Sequence, residues 1–318
     1  MSTNQGLAAK ARTLPHITGR NFLTDGGIET TLIHHQGADL PYCAAFPLLD
    51  TIEGRDMLRG YFRRYLRIAE GTGTGFILES PTRRASPDWG AMLGYSPRRI
   101  EEVNRAAIEL MEWLRDRHRG SGPVVISGCV GPRGESYTPE QKLTAAVARA
   151  YHAPQIGAFA EARADIITGL GMTHTGEAIG IALAAKQLRM PVVISFTVDT
   201  VGRLPSGLPL PKAIDRVDEE TERYPLYYMI NGAHPDHFRE VLARGGGWLE
   251  RIMGVRANAT RHSHAELERM NELDSGNPHE LSRDCAILRD LVPSLRIFGG
   301  CTGTDHRHLQ AIAETCCN

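Results

Sequence analysis

The sequence predicts an α/β fold: a closed (β/α)8 TIM barrel, one domain over residues 1–318 with 1–20 as an N-terminal extension. Two observations carry this prediction. Eight short, β-branched apolar runs recur along the chain, and amphipathic helical patterns separate them. Most of the runs are apolar throughout, as strands buried on both faces are. A doubly wound open sheet is the alternative. Its Gly-x-Gly-x-x-Gly fingerprint after a strand is missing, because Gly71, Gly73 and Gly75 precede a strand and read as a turn.

The first run is Phe22–Asp25, and Leu58, Phe62, Tyr65 and Leu66 then form a helical stripe before the second, Gly75–Glu79. Ser96-Pro97 is a helix cap followed by a first-turn proline, with Ile100, Val103, Ala107, Leu110 and Leu114 at helical spacing behind it. Val124–Ser127 follows, then a helix through Leu143 and Val147 that Pro154 should kink. Asp165–Thr168 leads into the stripe Ala178, Ile181, Ala182, Ala185 and Leu188. The remaining runs are Val192–Thr197, Leu226–Asn231, Ile252–Arg256 and Arg296–Phe298. The polar segment Ala257–Asn277 reads either as a lid or as a solvated helix with Glu266, Glu268 and Arg269 outward. Pro205–Pro211 reads as a gate or a plain connection. Asp305 is an expected N-cap, with His306 and His308 facing solvent, and Cys316-Cys317 an expected frayed end.

Composition narrows the function classes. The chain is 42% hydrophobic and 23% charged, too apolar for disorder. Its net charge of -1 provides no global field for nucleic acid or an anionic membrane. No apolar run reaches the length of a membrane span, and Met1–Arg20 lacks a signal-peptide pattern. Six cysteines in a chain this long suit free thiols in a reducing, cytoplasmic setting.

Barrel active sites lie where the strands end, because the βα loops converge there. The strand ends here are small and polar: Asp25-Gly26-Gly27, Glu79-Ser80-Pro81-Thr82, Gly128–Gly134, Asn231–Pro235, Asn258-Ala259 and Gly299–Thr304. Asp25 is either a substrate ligand or an Asx-turn, and Glu79 an ammonium partner, a general base or a satisfied acid. Thr82 either bonds a substrate carboxylate or caps a helix. Asn231 and Asn258 either orient ligands or tie loops together. Arg83, Arg84 and Arg133 are anion receptors or surface ion pairs. Cys129 reads as packing, and Cys43 and Cys285 have no partner pattern.

Six of these segments, in order and each at a strand end, carry a resemblance: Asp25–Thr30, Ser127–Pro132, Val193–Thr197, Ile230-Asn231 with Pro235, Asn258-Ala259, and Gly299–Cys301 with Gly303-Thr304. The chain resembles the homocysteine S-methyltransferase family over nearly its whole length. That resemblance implies a (β/α)8 barrel that transfers a methyl group to the sulfur of homocysteine, giving methionine. It implies a methyl donor such as S-adenosylmethionine or S-methylmethionine. It also implies zinc held by three cysteines, with an open position that ionises the substrate thiol. The expected partners are the small thiol and the donor, with no nucleic acid and no membrane; a homo-oligomer is left open.

The same resemblance exposes two departures. The three cysteine positions fall on Gly232, Cys301 and Thr302, so Cys301 alone remains as catalytic residue and metal ligand. Two lost thiolates imply weak or absent zinc, unless His234 or His306, near the vacant positions in sequence, steps in. Where many members carry a glutamate that holds the substrate ammonium, Leu170 stands here. Asp25, Gly26 and Gly27 are then the expected amino-acid cradle, with Glu79, Thr82, Asn231 and Asn258 around it. A zinc-free barrel of changed activity that binds a small amino-acid-like ligand is the alternative.

Overall fold

The computed structural model describes residues 14–135, 143–267, 269–270 and 273–317. Residues 1–13 of the expected extension and Glu268 lie outside the described residues. Eight parallel strands close into a barrel in sequence order. They are β1 (Phe22–Leu23), β2 (Gly75–Glu79), β3 (Val124–Val130), β4 (Ile166–Met172), β5 (Val192–Thr197), β6 (Tyr228–Asn231), β7 (Ile252–Ala257) and β8 (Ile297–Gly300). β1 pairs with both β2 and β8, which shuts the ring.

The outer layer is helical: α1 (Ile52–Thr72), α2 (Pro87–Met92), α3 (Pro97–Arg117), α4 (Ala145–Glu161), α5 (Thr175–Gln187), α6 (Leu210–Thr221), α7 (Pro235–Ala243), the single turn α8 (His264–Leu267), α9 (Pro278–Leu291) and α10 (His306–Cys316). Two expected stripes face inward, with Leu58, Phe62, Tyr65 and Leu66 buried on α1 and Ile100, Val103, Ala107, Leu110 and Leu114 on α3. Of the third, Ala178, Ile181, Ala182 and Ala185 are buried on α5, but Leu188 caps that helix and is exposed. Ser96 caps α3 by accepting from the Arg99 amide. Thr144 caps α4, so Leu143 lies before that helix, and Pro154 sits inside it. No described helix is long and apolar enough to cross a membrane.

Several expectations change. β3 and β4 are longer than their apolar cores, because Ser127–Val130 finds a parallel partner in Ile166–Gly169. β1 is shorter and ends at Leu23, although the Thr24 amide still donates to the Phe298 carbonyl at 2.8 Å and the Asp25 carbonyl accepts from the Gly300 amide at 2.9 Å. Between β1 and α1 the chain forms a π-helical turn, Thr30–His35, and 3-10 turns at Pro41–Cys43 and Phe46–Asp50. Such short segments have no apolar periodicity of their own. Cys316 is not frayed: α10 runs through it, its side chain is fully buried, and Arg289 Nη1 donates to its carbonyl at 2.6 Å.

Residues 14–17 form the barrel floor. Leu14 packs with Phe22, Ile77, Val125, Ile166, Val193, Tyr227, Met229 and Ile297. His16 is fully buried there, edge-on to Phe22 (5.8 Å) and Tyr227 (5.6 Å). Both its ring nitrogens lack a hydrogen-bond partner, and burial pushes its pKa down to about 4.

Candidate active site

A cavity of about 330 Å³ opens at the carboxyl ends of the strands. Asp25, Gly26 and Gly27 line it from β1, Glu79 from β2, Asn231 from β6, Arg256 from β7, and Cys301 and Thr302 from behind β8. Ile33, Leu267, Met270 and Leu273 supply apolar walls. The described part of the 257–277 segment therefore covers the site, while Glu266 and Arg269 point outward. Pro205–Pro211 contributes nothing to this wall.

Arg256 organises the floor of the cavity. Its Nη2 donates to Asp25 Oδ1 at 2.7 Å, and its Nη1 to Glu79 Oε2 at 2.6 Å. Nε donates to the Gly300 carbonyl at 3.2 Å, and Nη2 also reaches the Gly26 carbonyl at 3.3 Å. Tyr61, from α1, donates to the second Asp25 oxygen at 2.8 Å. Arg256, Asp25 and Glu79 are all nearly inaccessible to solvent, at 3–5% exposure. Burial opposes the guanidinium's charge, but the two carboxylates hold its pKa well above the usual arginine value. Burial raises both carboxylates, against the pull of Arg256.

Local backbone explains how the guanidinium reaches so far. Arg256 pairs in register with Gly299 on β8. A Cβ at Gly299 would collide with Thr24 Oγ1 and lie 3.1 Å from Arg256 Cγ, and one at Gly300 would collide with Thr304 Oγ1. The bare Gly299 leaves room for a β7 side chain to cross the tail of β8 towards β1 and β2, and Gly300 leaves room for Thr304. Sequence reading missed Arg256, although a signal was present. A charged residue at the end of an otherwise apolar, doubly buried strand needs charged partners, and Asp25 and Glu79 are carboxylates at other strand ends.

The expected cradle is only partly open. The Gly27 amide already donates to the Thr304 hydroxyl and carbonyl, both at 3.1 Å. A Cβ at Gly27 would come within 2.5 Å of the Cys301 carbonyl, so this glycine serves the contact between the β1 and β8 tails. Asn231 lines the cavity, but its amide fastens neighbouring strands. Oδ1 accepts from Ser195 (2.7 Å) and the Gly171 amide (3.2 Å), and Nδ2 donates to Thr197 (3.0 Å). Thr82 and Asn258 do not line the cavity and are fully buried. Thr82 Oγ1 donates to the Cys129 carbonyl at 2.8 Å, and Asn258 Nδ2 donates to the Gly232 carbonyl at 2.9 Å. Both are loop ties, because at these depths the backbone carbonyls need donors.

Cys301 is half-buried at the rim, with Sγ 4.0 Å from Thr302 Oγ1. Its backbone is firmly held: the amide donates to Ala257, and the carbonyl accepts from Thr304 Oγ1 at 2.7 Å. Gly232 presents no side chain, and its carbonyl accepts from Asn258 and His264. Cys43 and Cys129 also line the cavity, and burial raises both thiols, Cys129 strongly. Arg83 lies 3.7 Å from Glu29, and Arg84 lies 2.8 Å from Glu135 and over the Trp89 ring. Arg133 turns away to Asp88 at 2.6 Å.

A thiolate zinc site does not fit these residues. One cysteine, a neutral threonine hydroxyl and a glycine cannot supply three anionic ligands. The two histidines do not fill the gap. His234 lines a neighbouring cavity, and with Asp236 and Asp284 behind it forms the one group among the described residues with metal-ligand spacing. Arg261 already bridges those carboxylates, with Nη2 3.2 Å from Asp284, and Arg239 Nη2 is 3.0 Å from Asp236. His306 lines a separate groove with Arg64, His279 and Arg307. His308 is fully buried rather than solvent-facing. Its Nδ1 accepts from the Asp305 amide at 3.1 Å and completes a capping box on α10.

One more buried group escaped sequence reading. Glu177, in the first turn of α5, accepts from His152 Nε2 at 2.9 Å and from the Arg133 amide at 2.8 Å. Burial opposes it, yet these donors hold its carboxyl below the usual range. It pins the loop after β3 to the mouth of the barrel.

Comparison with known proteins bears on the family and the fold. The profile of the family described as homocysteine S-methyltransferase matches residues 22–316. The crystal structure of the homocysteine methyltransferase MmuM from Escherichia coli in its oxidized form superposes with a TM-score of 0.76 at 19% identity, covering 96% of this chain and 99% of that one. The metallated form of the same enzyme gives 0.74 at 17% identity, with the same coverage. No curated protein sequence matches the chain. At these identities the structural likeness speaks for the shared barrel, and the profile match speaks for the family. The chain belongs to the homocysteine S-methyltransferase family.

Proposed function

We propose that this chain transfers a methyl group from a sulfonium donor, of the S-adenosylmethionine or S-methylmethionine type, to the sulfur of homocysteine, and that it does so without a three-cysteine zinc centre. The observation that supports it most is the meeting of the Asp25 strand end and Cys301 at one small cavity at the barrel mouth. Five carboxylates line this cavity against three guanidiniums, an excess that favours cationic ligands such as an ammonium or a sulfonium.

In the family, zinc supplies ionisation of the acceptor thiol. The donor set here does not fit that ion, so the derivation uses only the chain's own residues. Asp25 and the Gly26 strand end receive the amino-acid end of the acceptor. Ile33, Leu267, Met270 and Leu273 exclude water from the reacting sulfur. A thiol with a pKa of about 8.5 is a few per cent ionised at neutral pH, so transfer is slow there and rises as pH approaches that value.

The test is an assay for methionine formation from homocysteine with several sulfonium donors, with zinc measured on the same preparation. Slow, pH-rising transfer with zinc well below one per chain is the expected result. Stoichiometric zinc with full activity rejects the zinc-free reading. The absence of two thiolates favours one second reading, a barrel that binds a small amino-acid-like ligand without methylating it. Homocysteine binding with no product from any donor selects that reading.

A further inference from the structure

We propose that Arg256 is a positioning residue that holds Asp25 and Glu79 side by side as carboxylates, so that the cavity floor carries one unneutralised negative charge that selects an acceptor bearing an ammonium group. This inference rests on the homocysteine reading above and deepens it.

The geometry supplies the reasoning. Two buried carboxylates this close would share a proton if nothing neutralised them. The guanidinium lies between them at 2.6 and 2.7 Å and supplies a single positive charge to the pair. It is fixed from two further sides by the Gly300 and Gly26 carbonyls, so it cannot swing away to serve a ligand. The trio therefore has a charge of minus one, and a bound ammonium brings it to zero. Leu170, at the end of β4, supplies no carboxylate to the same wall. The other titratable groups that act on the pair are Tyr61 and Tyr65 from α1, Glu29 after β1, Cys129 from β3 and Tyr227 beside β6; Cys301 after β8 acts on Arg256.

The experiment measures binding of homocysteine and of 4-sulfanylbutanoate, its analogue without the amino group, to the full chain in the absence of methyl donor. The wild type should prefer homocysteine by about tenfold or more, the scale of one charge-assisted hydrogen bond. Glu79→Gln leaves a neutral Asp25–Arg256 pair, and the preference should fall to about threefold or less. The double variant Glu79→Gln/Arg256→Met leaves Asp25 alone and should recover the preference. A purely structural role would not yield recovery on a second deletion. In Arg256→Met, the loss of homocysteine binding on acidification should move up by about one pH unit or more, because the pair then shares a proton.

An unchanged preference in Glu79→Gln, or no recovery in the double variant, overturns the charge assignment. Should Arg256→Met fail to fold, the Glu79→Gln measurement decides alone. Equal wild-type binding of the two compounds refutes this proposal and leaves the methylation reading standing. Selective homocysteine binding with no methyl transfer from any donor refutes only the methylation reading. Failure to bind either compound overturns both.

Discussion

At the scale of single residues, two of the three cysteine positions that the family implies are vacant, at Gly232 and Thr302, and each has a different physical cost of reversal. Thr302 lies on the cavity wall beside Cys301, so Thr302→Cys adds a second thiolate with little rearrangement. Gly232 sits at φ 72°, where a side chain costs roughly 1–2 kcal/mol, so Gly232→Cys should lower stability by about that amount. We expect the double variant to approach one zinc per chain by elemental analysis and to methylate homocysteine faster than the parent. Restored metal without restored transfer would mean that the acceptor is a different thiol. Residue chemistry at the strand ends was legible in the sequence for Asp25, Glu79 and Cys301, which do meet at one cavity. It was not legible for Thr82 and Asn258, because a polar side chain beside an unpaired backbone carbonyl looks the same in sequence as one beside a substrate.

At the scale of elements, the loops on the mouth are held by buried polar clamps. Glu177 on α5 joins His152 on α4 to the Arg133 amide after β3. His152 Nδ1 has no partner, so Glu177→Ala would leave that ring without any hydrogen bond and free the Arg133 amide as well. The expected cost is about 3 kcal/mol, read as a lower urea midpoint with an unchanged slope. A loss under 1 kcal/mol would mean that the clamp contributes little. Helix caps were readable beforehand, as Ser96 and Asp305 demonstrate, because a cap is a local pattern of a few residues. The clamp was not, since its three members lie 25 and 44 positions apart in the chain.

At the scale of the whole molecule, the closed ring has a mouth that carries the charged trio and a floor sealed by residues 14–17. His16 seals that floor as a neutral imidazole. Its pKa is about 4 when folded and about 6.5 when unfolded, so the unfolded chain binds more protons between these values. Stability from this group is therefore complete above pH 6.5 and is lost as pH falls towards 4, by roughly 3 kcal/mol. Thermal unfolding across that window should show the loss, and His16→Leu should flatten it while slightly raising stability at neutral pH. If the variant keeps the parent's acid slope, His16 is not its source.

The sequence alone determined the architecture and the ring of strand ends, because doubly buried strands and inward-facing helices leave periodic apolar patterns that survive without coordinates. Barrel closure alone decided which side chains face one another. Arg256 stands 231 positions from Asp25 and 177 from Glu79, and only the ring, with Gly299 clearing the way, brings a β7 guanidinium between the carboxylates of β1 and β2. Charge pairing over such separations depends on through-space distance, which no local pattern in the chain encodes.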